Sequence, residues 1–125
     1  MDVLIGELVD ALDNLGLRDN TTIVLWSDHG YFLGEHGFWC KHSTFYEAVH
    51  VPLIISSPKF SNNIPTDSFT ELVDIYPTLC ELTNIEAPNY LHGQSLVSVL
   101  EDSSIDLKKE IYGVDYLFVL VVHFL

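Results

Sequence analysis

Thr21-Thr22-Ile23-Val24-Leu25-Trp26 is an unbroken run of β-branched and apolar residues that stops at Ser27-Asp28-His29-Gly30. A run with so little alternation suits a strand buried on both faces, the situation in a parallel sheet covered by helices. The polar tetrad then marks the C-terminal end of that strand, where ligands bind in open α/β sheets. A second strand of the same kind is expected at Val51–Ser56, with Pro52 tolerable near its start. The two strands together are expected in one parallel sheet.

The helices follow from spacing. Leu4, Leu8, Leu12 and Leu15 recur at helical intervals, with Ile5 and Val9 widening the stripe. Gly16 can close that helix in the left-handed conformation. The stripe is expected to pack on the sheet. Tyr31 to His42 reads as an ordered loop, and Thr44 with Glu47 matches a capping box for a short helix reaching Val49. Phe69 to Val73 is read as a short strand. Asp74 caps a helix to about Thr83, with Pro77 in its first turn where a missing N–H costs little. Asn84 is its stop, and Ser95 to Leu100 holds another helical turn or two. Alternation of helices and strands with short connections predicts an α/β fold, a partial, open, mostly parallel sheet flanked by helices.

Composition narrows the partners. The chain has 125 residues and is 48% hydrophobic, enough for one packed domain rather than a disordered segment. Eighteen acidic against five basic residues give a net charge of -13, which leaves no basic surface for nucleic acid or anionic lipid. Any anion site must therefore be local. No stretch reaches the ~20 apolar residues of a membrane span, and the N-terminus does not resemble a signal peptide. The spacing of Cys40 and Cys80 matches no metal knuckle, and both are expected as buried free thiols. Asn20-Thr21-Thr22 fits the glycosylation acceptor pattern.

The chemistry-bearing residues gather after the first strand. Asp28 offers a hard oxygen suited to Ca²⁺ or Mg²⁺, while the imidazole of His29 suits softer metals. Lys41 follows thirteen positions later. A lysine beside an acid-bound cation suits a tetrahedral anion, whose oxygens the two positive groups would share. The residues alone leave plainer readings open: a hydrogen-bonded turn for Asp28 and His29, a solvated charge for Lys41. His36, His42 and His50 are spaced poorly for zinc.

The run Ser27-Asp28-His29-Gly30-Tyr31-Phe32-Leu33-Gly34-Glu35-His36-Gly37-Phe38-Trp39-Cys40-Lys41 resembles the second signature of the type I sulfatases, in the alkaline-phosphatase superfamily. Asp19–Val24, Phe45–Ile54, Leu72–Leu79 and Leu91–Leu96 resemble segments of that family in its own order, so the likeness covers about residues 2 to 101. The Gly-Glu-His-Gly element and His50 before Val51-Pro52 are most similar to the iduronate-2-sulfatase-like branch. The resemblance implies a fragment of the alkaline-phosphatase-like sulfatase domain at residues 1–113, followed by an apolar segment of uncertain origin at 114–125. It implies that Asp28 and His29 bind one divalent cation, Ca²⁺, and that Lys41 is both catalytic and sulfate-binding. Hydrolysis of sulfate esters, on sulfated small molecules or glycans, is the implied activity. A secreted, periplasmic or lysosomal setting is implied with it. His36 and His42 receive no role beyond packing or loop hydrogen bonding, and Trp26, Trp39 and Tyr31 are expected to pack rather than to serve as sugar platforms.

One departure stands out. The family's nucleophile is a formylglycine made from the Cys or Ser of Cys/Ser-x-Pro-x-Arg, and no such motif occurs in these 125 residues. The chain alone is therefore expected to be inactive on sulfate esters. Two other readings remain at this stage: a phosphatase or phosphodiesterase of the same superfamily, and a non-catalytic α/β module that binds a partner.

Overall fold

The computed structural model describes residues 2–60, 65–111 and the backbone of 121–124. The elements in order are helix α1 (Asp2–Asn14), strand β1 (Ile23–Trp26), the short strands β2 (Phe32–Leu33) and β3 (Trp39–Cys40), and helix α2 (Tyr46–Val49). They continue with β4 (His50–Ser56), α3 (Ile75–Thr83), α4 (Val97–Glu101) and β5 (Val121–Phe124). Helices and strands mix along the chain, as expected of an α/β fragment.

The sheet departs from expectation in one respect. β4 lies between β1 and β5, and it pairs with β5 in parallel. With β1 it pairs antiparallel, Ile23 opposite Ser56 and Trp26 opposite Leu53. The reason lies in the connection. A parallel return needs a crossover long enough to carry the chain back to the starting end, usually a full helix. Here the residues from Ser27 to Val49 are spent on the β2–β3 hairpin and a single helical turn. The turn runs directly into β4 at His50. The chain re-enters the sheet at the end where it left.

The core gathers on one side of β4. Val51 and Leu53 are buried with Ile75, Leu96 and Val99, and Val24, Ile55 and Leu79 pack against them. β1 is less covered than its sequence predicts, with Leu25 and Trp26 exposed. The apolar stripe of α1 is only partly covered, with Ile5, Val9 and Leu12 half-buried. Leu4 is 67% and Leu8 65% exposed, and no residue of α1 is buried. Gly16, at φ 65°, does close the helix as expected.

Between β4 and α4 an acidic residue organises the chain. Asp74 is fully buried, and its carboxylate accepts hydrogen bonds from Glu71 N and Gln94 N, both at 2.8 Å. Lys108 Nζ donates to it at 2.6 Å and to Glu71 Oε2 at 2.5 Å. This satisfies the buried charge from three directions. Asp74 closes a reciprocal capping box with Glu71 around a 3-10 turn at Leu72–Asp74. The expected strand over Phe69–Val73 is replaced by that turn and the extended chain before it. Gly93 permits the approach: a Cβ there would sit 2.0 Å from the Val73 carbonyl oxygen. Thr78 Oγ1 donates to the Asp74 carbonyl and accepts from Leu96 N at 2.9 Å, tying α3 to the start of α4. Pro77 is buried in the first turn of α3, and Asn84 ends that helix at φ 57°. Both match expectation.

At the far end of the chain, Val121–Phe124 forms β5, and residues 114–120 and 125 of the apolar C-terminal segment lie outside the described residues. Among the described residues no helix is long and apolar enough to cross a membrane.

Candidate functional site

Asp28 and His29 stand where the sequence places them, just past β1. The Asp28 side chain is 77% exposed, and His29 is largely covered. Ser27 Oγ donates to the His29 carbonyl at 2.7 Å, shaping the turn. Gly30 packs the turn against α2. Its N–H donates to the Ala48 carbonyl at 2.8 Å, and a Cβ on it would meet the Glu47 carbonyl oxygen at 1.8 Å. Only glycine lets the turn lie against α2 this closely.

The imidazole of His29 is held in one tautomer. Nδ1 lies 2.5 Å from the Gly30 carbonyl oxygen, which can only accept, so Nδ1 carries a proton. Nε2 then faces Asp28 Oδ2 at 3.4 Å. A metal-binding histidine characteristically donates its other N–H to a carbonyl in this way. Asp28 and His29 therefore fit a divalent cation as donors, the carboxylate as the hard ligand. They supply only part of a Ca²⁺ shell of six to eight oxygens. Among the described residues no group of three or more His, Cys, Asp or Glu side chains could hold a metal.

The loop from Tyr31 to Lys41 folds as a hairpin. Phe32 pairs with Cys40 and Leu33 with Trp39, around a 3-10 turn at Glu35–Gly37. Glu35 Oε2 accepts from Leu33 N at 2.6 Å, and that bond lowers the carboxyl pKa below its ordinary 4.5. Lys41 follows directly after β3, at the base of the hairpin. Cys40 adopts φ 72°, a left-handed conformation uncommon outside glycine. Its thiol accepts from Tyr31 Oη at 3.7 Å, which pushes the Tyr31 phenol pKa up from 10.0.

Several sequence expectations need correction in this region. Cys40 is a free thiol but an exposed one, whereas Cys80 is free and buried. Tyr31, Trp26 and Trp39 are all exposed rather than packed. The Thr44–Glu47 capping box is not formed. Phe45 precedes α2 without a side-chain cap, Ser43 Oγ accepts from Phe45 N at 3.0 Å, and Glu47 turns to His36 instead. His36 thus packs and hydrogen-bonds as expected, but its partner could not be read from the sequence, because a capping box already explained Glu47. His50, considered with His36 for zinc, stacks on Tyr46 at 4.4 Å.

The sulfatase family model matches residues 1–85. The chain belongs to the sulfatase family. Among its relatives is a sulfatase of Formosa agariphila, 40% identical over 101 residues, covering 81% of this chain and 20% of that protein. Mouse arylsulfatase K is 38% identical over 103 residues, covering 82% and 19%. An N-acetylglucosamine-6-O-sulfatase of Bacteroides thetaiotaomicron is 41% identical over 103 residues, covering 82% and 18%. This sulfatase chain thus spans about a fifth of the length of the curated relatives it matches. A solved structure of BT4656 with its substrate D-glucosamine-2-N,6-O-disulfate superposes at TM-score 0.69 and 32% identity, over 95% of this chain and 26% of that one. A phosphonate monoester hydrolase of Silicibacter pomeroyi superposes at 0.78 and 33% identity, over 86% and 21%.

Proposed function

We propose that this sulfatase chain is part of an enzyme that hydrolyses sulfate esters of glycans, with Asp28 and His29 on a divalent cation and Lys41 on the sulfate. The observation that carries this reading is the backbone arrangement. The exposed Asp28 carboxylate lies just past β1, and Lys41 lies at the base of the hairpin that follows it. One relative named an N-acetylglucosamine-6-O-sulfatase and a neighbour bound to a disulfated glucosamine support a sulfated sugar as substrate. The Gly34-Glu35-His36-Gly37 element supports an iduronate-2-sulfatase-like relationship within the family.

Asp28 would hold the cation, Ca²⁺, whose chemistry is to polarise a sulfate oxygen and spread its charge. The Gly30 carbonyl holds His29 in one tautomer, which keeps Nε2 directed at Asp28. Lys41 contributes a preorganised ammonium for a second oxygen, where charge grows in the transition state. A formylglycine nucleophile would come from outside these 125 residues, so the chain alone is expected to show no turnover. Residues 1–113 belong, in this reading, to the later part of the catalytic domain.

The neighbouring phosphonate monoester hydrolase supports a second reading, cleavage of a phosphorus ester by the same superfamily scaffold. The test is to complete the enzyme with its upstream coding sequence and assay aryl sulfate beside aryl phosphate and phosphonate esters. Preference for the sulfate, lost in Lys41→Ala, supports the proposal. Preference for a phosphorus ester overturns it.

A further inference from the structure

The β2–β3 hairpin has two residue pairs, and a two-stranded hairpin of that size is marginal without support. Its support comes from α2. Phe32 is buried beneath a group of rings, with Phe38 at 5.9 Å and Phe45 edge-on at 6.4 Å. The apolar packing leaves the orientation of the hairpin tip to one polar contact. His36, in the turn, stacks on Phe45 at 4.7 Å and 22° and places Nε2 3.1 Å from Glu47 Oε1. To do so it adopts φ 54° and ψ 14°, a left-handed conformation that costs a non-glycine residue roughly 1–2 kcal/mol. Glu47 depends on this contact. Its other oxygen, Oε2, is buried with no hydrogen-bond partner among the described residues.

We propose that His36 is a positioning residue for Lys41, clamping the hairpin that carries the lysine to helix α2 through Glu47 and Phe45. The clamp extends into the core, because α2 continues into β4 and the Gly30 turn is bonded to Ala48. One end of the hairpin is therefore held through Gly30 and the other through His36. Lys41 leaves the hairpin at its base, directly after β3. The consequence for function rests on the assignment of Lys41 to the sulfate, but the clamp itself can be tested without turnover.

The test uses the full 125-residue chain. Amide hydrogen exchange is measured at Leu33, Trp39 and Cys40, with Val51 and Leu53 of β4 as internal reference. The four lysines, Lys41, Lys59, Lys108 and Lys109, are ¹³C-dimethylated for NMR, and Lys41 is assigned with Lys41→Arg. His36→Ala is expected to speed exchange of the hairpin amides about tenfold, with β4 unchanged, and to move the Lys41 resonance but not that of Lys59. Glu47→Gln, which keeps the ring stack, should reproduce a smaller part of this. His36→Gln, which can still donate to Glu47, should restore most of the protection and the Lys41 shift. Unchanged hairpin exchange in His36→Ala, loss shared equally with β4, no rescue by glutamine, or a stationary Lys41 resonance would each overturn the clamp. A clamp that holds in an enzyme indifferent to Lys41→Ala would leave this inference standing and remove the sulfate assignment instead.

Discussion

Truncating Asp74 to alanine removes a fully buried carboxylate that three donors converge on. Lys108 Nζ keeps Glu71 Oε2, so its ammonium is not abandoned, but it loses a charge-assisted bond at 2.6 Å. Such bonds contribute about 1.5–3 kcal/mol. The N–H groups of Glu71 and Gln94 lose their acceptor in a partly buried setting, at about 1 kcal/mol each. The sum is roughly 3–5 kcal/mol, the range for breaking a buried pair by removing one partner. Urea unfolding followed by circular dichroism measures it, and Asp74→Ala should unfold at a much lower midpoint or be unfolded in buffer. Asp74→Asn keeps the shape and one good acceptor, so it should lose about half as much and supply a magnitude in either case. If Asp74→Ala unfolded within about 0.5 kcal/mol of the parent chain, the carboxylate would not be organising the 71–108 region, and the reasoning would fail.

In the completed enzyme Lys41→Ala should lower kcat roughly a hundred- to a thousand-fold, and Asp28→Ala more, because the cation loses its anionic ligand; steady-state rates on an aryl sulfate decide. Gly30→Ala must push the Glu47 backbone away and should destabilise by roughly 1–3 kcal/mol, read as a lower urea midpoint. The Glu35 carboxyl has a folded pKa below 4.5, so its support of the hairpin is present above that value and is lost as pH falls through the lowered one. The Leu33 amide resonance should move at that acid step in the parent and stay in place in Glu35→Gln. Leu4→Gln with Leu8→Gln should leave the urea midpoint within about 0.5 kcal/mol, since both side chains are exposed, and should raise solubility in a precipitation assay.

Local signals were readable at several points where a short-range rule decided the outcome. The stop at Gly16, the Pro77 helix, the Asn84 terminus and the Asp28 turn after β1 all follow from residue chemistry within a few positions. The candidate site residues could be singled out because they lie in one continuous segment. What the sequence concealed depends on contacts between distant positions. An apolar run at Thr21–Trp26 reads the same in a parallel and an antiparallel pair, and only the path from Ser27 to Val49 decides between them. The stripe on α1 has ideal spacing, yet spacing says nothing about which surface covers it. Glu47 satisfied a capping rule on paper and was taken by His36 in space, and Asp74 acquired Lys108 from 34 positions away.

The two free cysteines differ in a way that makes the molecule its own gauge. Cys40 lies open to solvent immediately before Lys41, whereas Cys80 faces inward from α3. A thiol-reactive dye added to the native chain should therefore take one equivalent, and a second only as the interior opens. Reaction at the first thiol sets the amplitude of one accessible site in the folded chain, and reaction at the second reports global unfolding. One titration thus reads unfolding against an internal standard without altering any residue.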